Sequence, residues 1–119
     1  MRKVYLLSSC STCQRIVKEA EIPEGVEIQD IKTENITLDQ LESMKEKVGS
    51  YESLFSRRAM KYKEWGLKEK ALTEEDYKNY ILEEYTFLKR PVIFWDDQIF
   101  VGNAKKTVEA LKEAVATSK

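Results

Sequence analysis

The chain of 119 residues contains no histidine and only two cysteines. Without histidine it lacks the usual general base and the usual metal ligand, so any chemistry must rest on thiol, carboxylate, lysine, arginine or backbone groups. Zinc takes four ligands from Cys, His or carboxylate, so two cysteines do not make a structural site, and no metal is expected. Neither sign of charge is in excess. The 20 Lys and Arg stand against 21 Asp and Glu, a net charge of -1, which provides no overall basic field for direct nucleic-acid binding. Long apolar runs are also missing. After Met1-Arg2-Lys3 only Val4-Tyr5-Leu6-Leu7 precedes the polar Ser8-Ser9. That is too short for the apolar part of a secretory signal, and no segment approaches membrane-spanning length. The expected location is the cytoplasm, without membrane association, where structural disulfides are rare. No repeat, low-complexity tract or linker divides the chain, and 42% apolar content suffices for an ordinary core, so one domain over residues 1–119 is expected.

Both cysteines lie in one motif, Cys10-Ser11-Thr12-Cys13, between the apolar run Val4–Leu7 and a segment of helical period. The thiolate is the nucleophilic form of cysteine, and a helix N-terminus lowers a thiol pKa through its unpaired amides and dipole. Cys10 is expected at that N-terminus and Cys13 in the first turn beside it, close enough to close a disulfide once Cys10 has been oxidised or has entered a mixed disulfide. Two incidental buried thiols are the plain alternative.

The pattern around the motif gives an α/β order. Val4–Leu7 is a continuous apolar run, as in a strand buried on both faces. Cys13, Ile16, Val17 and Ala20 recur at i, i+3, i+4 and i+7, and the helix they define ends before Pro23 and Gly25. Val26 and Ile28 alternate with Glu27 and Gln29, which reads as a second strand with those apolar side chains on one face, joined to the first by a parallel crossover. The middle is helical. Thr37 with Gln40, and Thr73 with Asp76, are capping-box pairs, and Tyr51 to Leu67 reads as one or two short helices stopped at Gly66. Arg90-Pro91 then leads into Val92–Trp95, Asp96-Asp97 and Gln98–Val101, a hairpin. A last helix from about Ala104 carries Val108, Leu111 and Val115 on its apolar stripe.

Strand, dithiol helix, strand, helical middle, hairpin and helix is a thioredoxin-like order. The chain resembles the arsenate reductase/Spx family on Ser9-Cys10-Ser11-Thr12-Cys13, Leu54-Phe55-Ser56-Arg57-Arg58 with Leu67, Leu88-Lys89-Arg90-Pro91-Val92-Ile93, and Val101-Gly102-Asn103. The resemblance implies a thioredoxin-like fold with a helical insertion over about 36–88. It implies Cys10 as the redox cysteine in a redox-active pair with Cys13. It also implies Arg90 and one of Arg57 and Arg58 facing Cys10, with Thr12 in the substrate-binding set, and Pro91 in cis. Arginines near Cys10 would stabilise its thiolate and could hold an oxyanion through charge-assisted hydrogen bonds. Read without the resemblance, Arg57-Arg58 is a solvated helix face, and Pro91 is a trans proline at a strand start.

The implied activity is that of an arsenate reductase-like thiol oxidoreductase that binds no cofactor and draws on an external thiol donor, glutathione with glutaredoxin or thioredoxin. Gly102 stands near where the arsenate reductases of this family carry a third oxyanion-contacting arginine, with Lys105 and Lys106 following, and Gln14 stands where they often carry a basic residue, with Arg15 next to it. The dithiol and the glycine also resemble the Spx branch, so the alternative is a redox-sensing transcriptional regulator that binds RNA polymerase through a CxxC switch.

Overall fold

Val92 to Trp95 are all buried, and this short β-branched and aromatic run is the centre around which a four-stranded sheet forms. In a computed structural model, which describes residues 1–118, the elements run β1 (Arg2–Leu6), α1 (Ser11–Glu19), β2 (Glu27–Asp30), α2 (Leu38–Val48), α3 (Met60–Glu64), α4 (Glu74–Glu83), β3 (Val92–Trp95), β4 (Gln98–Val101) and α5 (Lys105–Thr117). The fold is thioredoxin-like. The chain divides into two compact units, one built from residues 1–34 and the chain from Arg90 on, the other from Asn35–Lys89.

In the first unit the strand order is β2-β1-β3-β4. β1 and β2 pair in parallel with Val4 beside Ile28, whereas β1–β3 and β3–β4 are antiparallel with Val4 beside Ile93 and Ile93 beside Phe100. Val4, Leu6, Ile93, Trp95 and Phe100 pack with Cys13, Ile16 and Ala20 of the α1 segment and Val108, Leu111 and Val115 of α5 in one core. The sheet's alternate residues are also buried: Tyr5 meets Phe94 edge-on, with ring centroids 6.2 Å apart. The hairpin turns at Asp96, whose φ is +56°, a region that Asp tolerates better than most residues. Arg2 clamps that carboxylate through Nε and Nη2 at 2.9 and 3.1 Å while lying over the Trp95 ring.

The alternation on β2 is as expected, but its burial is not. Ile28 lies beside Val4, on the face against which Val26 packs, yet it is 51% exposed, whereas Gln29, on the Tyr5 face, is only 4% exposed. β2 is an edge strand, and Gln29 satisfies its buried amide by donating from Nε2 to the Glu34 carbonyl at 2.9 Å. A hydrogen-bonded amide is tolerated inside where an unpaired one is not.

The second unit is helical. Thr37 and Gln40 form a complete capping box on α2, as do Thr73 and Asp76 on α4. Gly49 ends α2 with φ +95°, the left-handed conformation that suits glycine. The stretch expected to hold one or two short helices contains α3 between two 3₁₀ turns, Glu52–Leu54 and Leu67–Glu69. Glu74 accepts from the Tyr51 and Glu52 amides, which fixes the first of these turns. Phe55 and Leu88 form an antiparallel bridge, flanked by Ser56 N–H to Phe87 O at 2.7 Å and Lys89 N–H to Leu54 O at 2.8 Å. Phe55, Tyr62, Tyr77 and Phe87 pack there as tilted, edge-on and stacked rings.

Candidate functional site

The chain leaves β1 through a tight turn, in which the Cys10 amide donates to Leu7 O at 3.0 Å. Cys10 then serves as N-cap of α1 with extended backbone angles, φ -87° and ψ 111°. α1 has no acidic residue in its first turn, so the helix carries no carboxylate of its own at its positive end. Cys10 and Cys13 are free thiols, Cys10 half-buried and Cys13 wholly inside the core.

The two sulfurs are pushed in opposite directions. Burial pushes the Cys10 thiol up, but it is outweighed by the Cys13 amide, the Cys13 thiol, the Thr12 amide and the Arg90 cation, and the pKa ends below its ordinary value. The Cys10 side chain makes no cap hydrogen bond of ordinary geometry, so these amides act on the sulfur mainly as oriented dipoles that favour its anion. Burial pushes Cys13 up, the Cys10 sulfur adds to it as hydrogen-bond partner and as charge, and the pKa rises to about 11. Such a split favours the anion on the exposed sulfur and the neutral thiol on the buried one.

Arg90 and Pro91 enter from the start of β3. The Arg90–Pro91 peptide is cis, and the Pro91 carbonyl accepts from the Gly102 amide at 2.9 Å. Gly102, just past β4, has φ +87°, a conformation open to glycine at little cost. Cys10, Thr12, Cys13, Arg90 and Pro91 thus belong to one unit, in which Thr12 contributes its backbone amide and Arg90 its charge to the electrostatics of Cys10. Lys105 and Lys106 open α5 behind the Ala104 cap, both exposed.

Arg57 and Arg58 belong to the other unit, where they differ in engagement. Arg57 Nη2 donates to Glu52 Oε2 at 2.8 Å and to the Tyr77 hydroxyl at 2.9 Å. Arg58 is exposed and forms no ion pair among the described residues. No group of three or more Cys, Asp or Glu side chains among the described residues is arranged to hold a metal ion. No helix among them is long and apolar enough to cross a membrane.

Motif reading did not single out Ser8 or Asp30. The Ser8 hydroxyl donates to Asp30 Oδ2 at 2.5 Å, and the Ser8 carbonyl accepts from Gln14 Nε2. The signal for this contact is the parallel register, which sets Asp30 beside Leu6, where β1 runs into the dithiol turn.

The sequence model of the ArsC family matches residues 5–111. No curated protein matches the chain. Among solved structures, the YffB (PA3664) protein superposes with a TM-score of 0.78 at 19% identity, covering 97% of this chain and 99% of its own. An arsenate reductase from Vibrio cholerae superposes with a TM-score of 0.73 at 16% identity, covering 95% and 98%. SACOL0876 from Staphylococcus aureus gives 0.71 at 24% identity, covering 92% and 97%. At these identities the structures speak for the fold.

Proposed function

Since the chain belongs to the ArsC family, we infer that it works as a thiol–disulfide oxidoreductase, with Cys10 as the attacking thiolate and Cys13 as the resolving thiol. The observation that carries this reading is the split pair: a half-exposed N-cap thiol with lowered pKa beside a buried thiol raised to about 11.

The chemistry follows from that split. The Cys10 thiolate attacks one sulfur of an oxidised substrate, forming a mixed disulfide and expelling the other sulfur as thiolate. This removes the negative charge that helps hold Cys13 protonated, so Cys13 loses its proton more readily at the stage where its attack is needed. Solvent or the departing thiolate takes that proton. Cys13 then attacks the Cys10 sulfur, releases the substrate as thiol and leaves a Cys10–Cys13 disulfide. Two electrons from an external donor, thioredoxin or glutathione with glutaredoxin, restore the pair. With arsenate as oxidant, the Cys10 thiolate would displace one arsenate oxygen, which leaves as water after taking protons from solvent, while Arg90 held the oxyanion through charge-assisted hydrogen bonds. Cys13 would then attack the Cys10 sulfur, form the disulfide and expel the arsenic as arsenite, which carries away the two electrons.

The test is NADPH consumption with arsenate and, separately, with a small disulfide. Each would be supplied by a thioredoxin system or a glutathione–glutaredoxin system, with Cys10→Ser as the blank. Turnover above the blank supports the oxidoreductase, and the productive arm names the donor. Cys10→Ser should abolish turnover, whereas Cys13→Ser should accumulate mixed disulfides or depend on added thiol. No turnover in any arm, with a dithiol that still cycles reversibly, would replace this reading with a redox switch, and RNA polymerase binding in the two redox states would be measured next.

A further inference from the structure

The turn that carries Cys10 is gripped at one residue from two sides. Ser8 donates its hydroxyl to Asp30 Oδ2 at 2.5 Å, and the Ser8 amide also favours the Asp30 carboxylate. The Ser8 carbonyl accepts from Gln14 Nε2. Asp30 is the last residue of β2, held in register with Leu6, and its other oxygen accepts from the Lys32 amide at 3.1 Å. Gln14 is on α1, one residue past Cys13. A strand and a helix therefore fix the residue two positions before Cys10. Ser8 and Gln14 are exposed, so water could satisfy their polar groups, and these bonds are not demanded by burial. What they add is position.

We propose that Asp30 and Gln14 are positioning residues that set the reactivity of Cys10 by holding Ser8. This rests on the reading of Cys10 as the attacking thiolate. The attraction between a sulfur and an amide falls steeply with distance and angle. A turn free to rock would offer the Cys10 sulfur to the Thr12 and Cys13 amides for less of the time, and less of the thiol would ionise. The groups that act on Cys10 directly are Cys13, Thr12 and Arg90, while Lys32 acts on Asp30. Asp30 reaches Cys10 through Ser8, not through its own charge.

The two routes of action differ in sign, which makes them separable. If Asp30 acted as a nearby negative charge, removing it would ease ionisation of Cys10. Acting through the clamp, its removal hinders ionisation. The experiment measures thiolate absorbance against pH, and the iodoacetamide alkylation rate at about pH 6, where rate follows thiolate fraction. The proteins are the reduced wild type, Asp30→Ala, Asp30→Asn, Gln14→Leu and Ser8→Ala. The expected result is an alkylation rate lowered about threefold or more in Asp30→Ala, Gln14→Leu and Ser8→Ala, with the titration midpoint moved up. Asp30→Asn, whose amide oxygen still accepts from Ser8, should stay within about twofold of wild type. Wild-type rates in Asp30→Ala and Gln14→Leu overturn the proposal. Faster alkylation in both Asp30 variants also overturns it and makes Asp30 an electrostatic brake. Ser8→Ala removes only a hydroxyl and carries the test if a larger change disturbs folding. The underlying reading fails separately, if wild-type Cys10 titrates like a free cysteine at about 8.5.

Discussion

At the scale of single residues, the site depends on two identical side chains being made different. Cys10 is drawn toward its anion and Cys13 away from it, and each shift links folding stability to pH with its own sign. For Cys13 the folded value, about 11, lies above the unfolded one. Its contribution to stability is therefore fully present below about 8.5 and is lost as pH rises through the folded value. For Cys10 the folded value is depressed, so its contribution is present above the unfolded value and is lost as pH falls through the folded one. Urea unfolding of the reduced wild type, Cys10→Ser and Cys13→Ser across pH separates the two. The wild type should lose stability relative to Cys13→Ser as pH rises from about 8.5 toward 11. Relative to Cys10→Ser it should lose stability as pH falls below about 8.5. Parallel curves for wild type and Cys13→Ser through the alkaline range would show that Cys13 is not held protonated by the fold.

At the scale of elements, the clearest local devices are the two capping boxes. Thr37→Ala and Thr73→Ala each remove a side-chain acceptor for the N3 amide. Each should destabilise by about 1 kcal/mol, read as a lower urea midpoint with unchanged slope. Both boxes were legible because cap and partner are three residues apart and need no tertiary information. The α1 stripe, the hairpin and the α5 stripe were legible for the same reason: their periods are local and consistent with their buried faces. The burial on β2 was not, because an edge strand leaves Ile28 exposed on the face it shares with Val4, and Gln29 is buried on the strength of a carbonyl five residues away. The dithiol was plain in the sequence, but the Ser8–Asp30 contact spans 22 residues and exists only once β1 and β2 have paired. The engagement of Arg57 depends likewise on Tyr77, brought in from 20 residues away.

At the scale of the whole molecule, the unit that holds the dithiol is assembled from both ends of the chain. β1 pairs with β3 across more than ninety residues, Arg2 beside Trp95. Of the eleven buried residues in the core around Cys13, six come from beyond Arg90: Ile93, Trp95, Phe100, Val108, Leu111 and Val115. The remaining β1–β2 pair is a short two-stranded ribbon, which is marginal in water without further strands or helices to cover it. The chemistry of the motif is thus local in sequence, whereas the burial that separates Cys13 from Cys10 is not. This can be checked with a fragment ending at Lys89, compared with the intact chain, both carrying Cys10→Ser so that Cys13 is the one thiol present. In the intact chain Cys13 should alkylate slowly, held protonated and inaccessible. In the fragment it should react at the rate of a free cysteine with a pKa of about 8.5. If Cys13 in the fragment stayed as slow as in the intact chain, the strand–helix–strand segment alone would build its burial, and the raised pKa would not require the hairpin and α5.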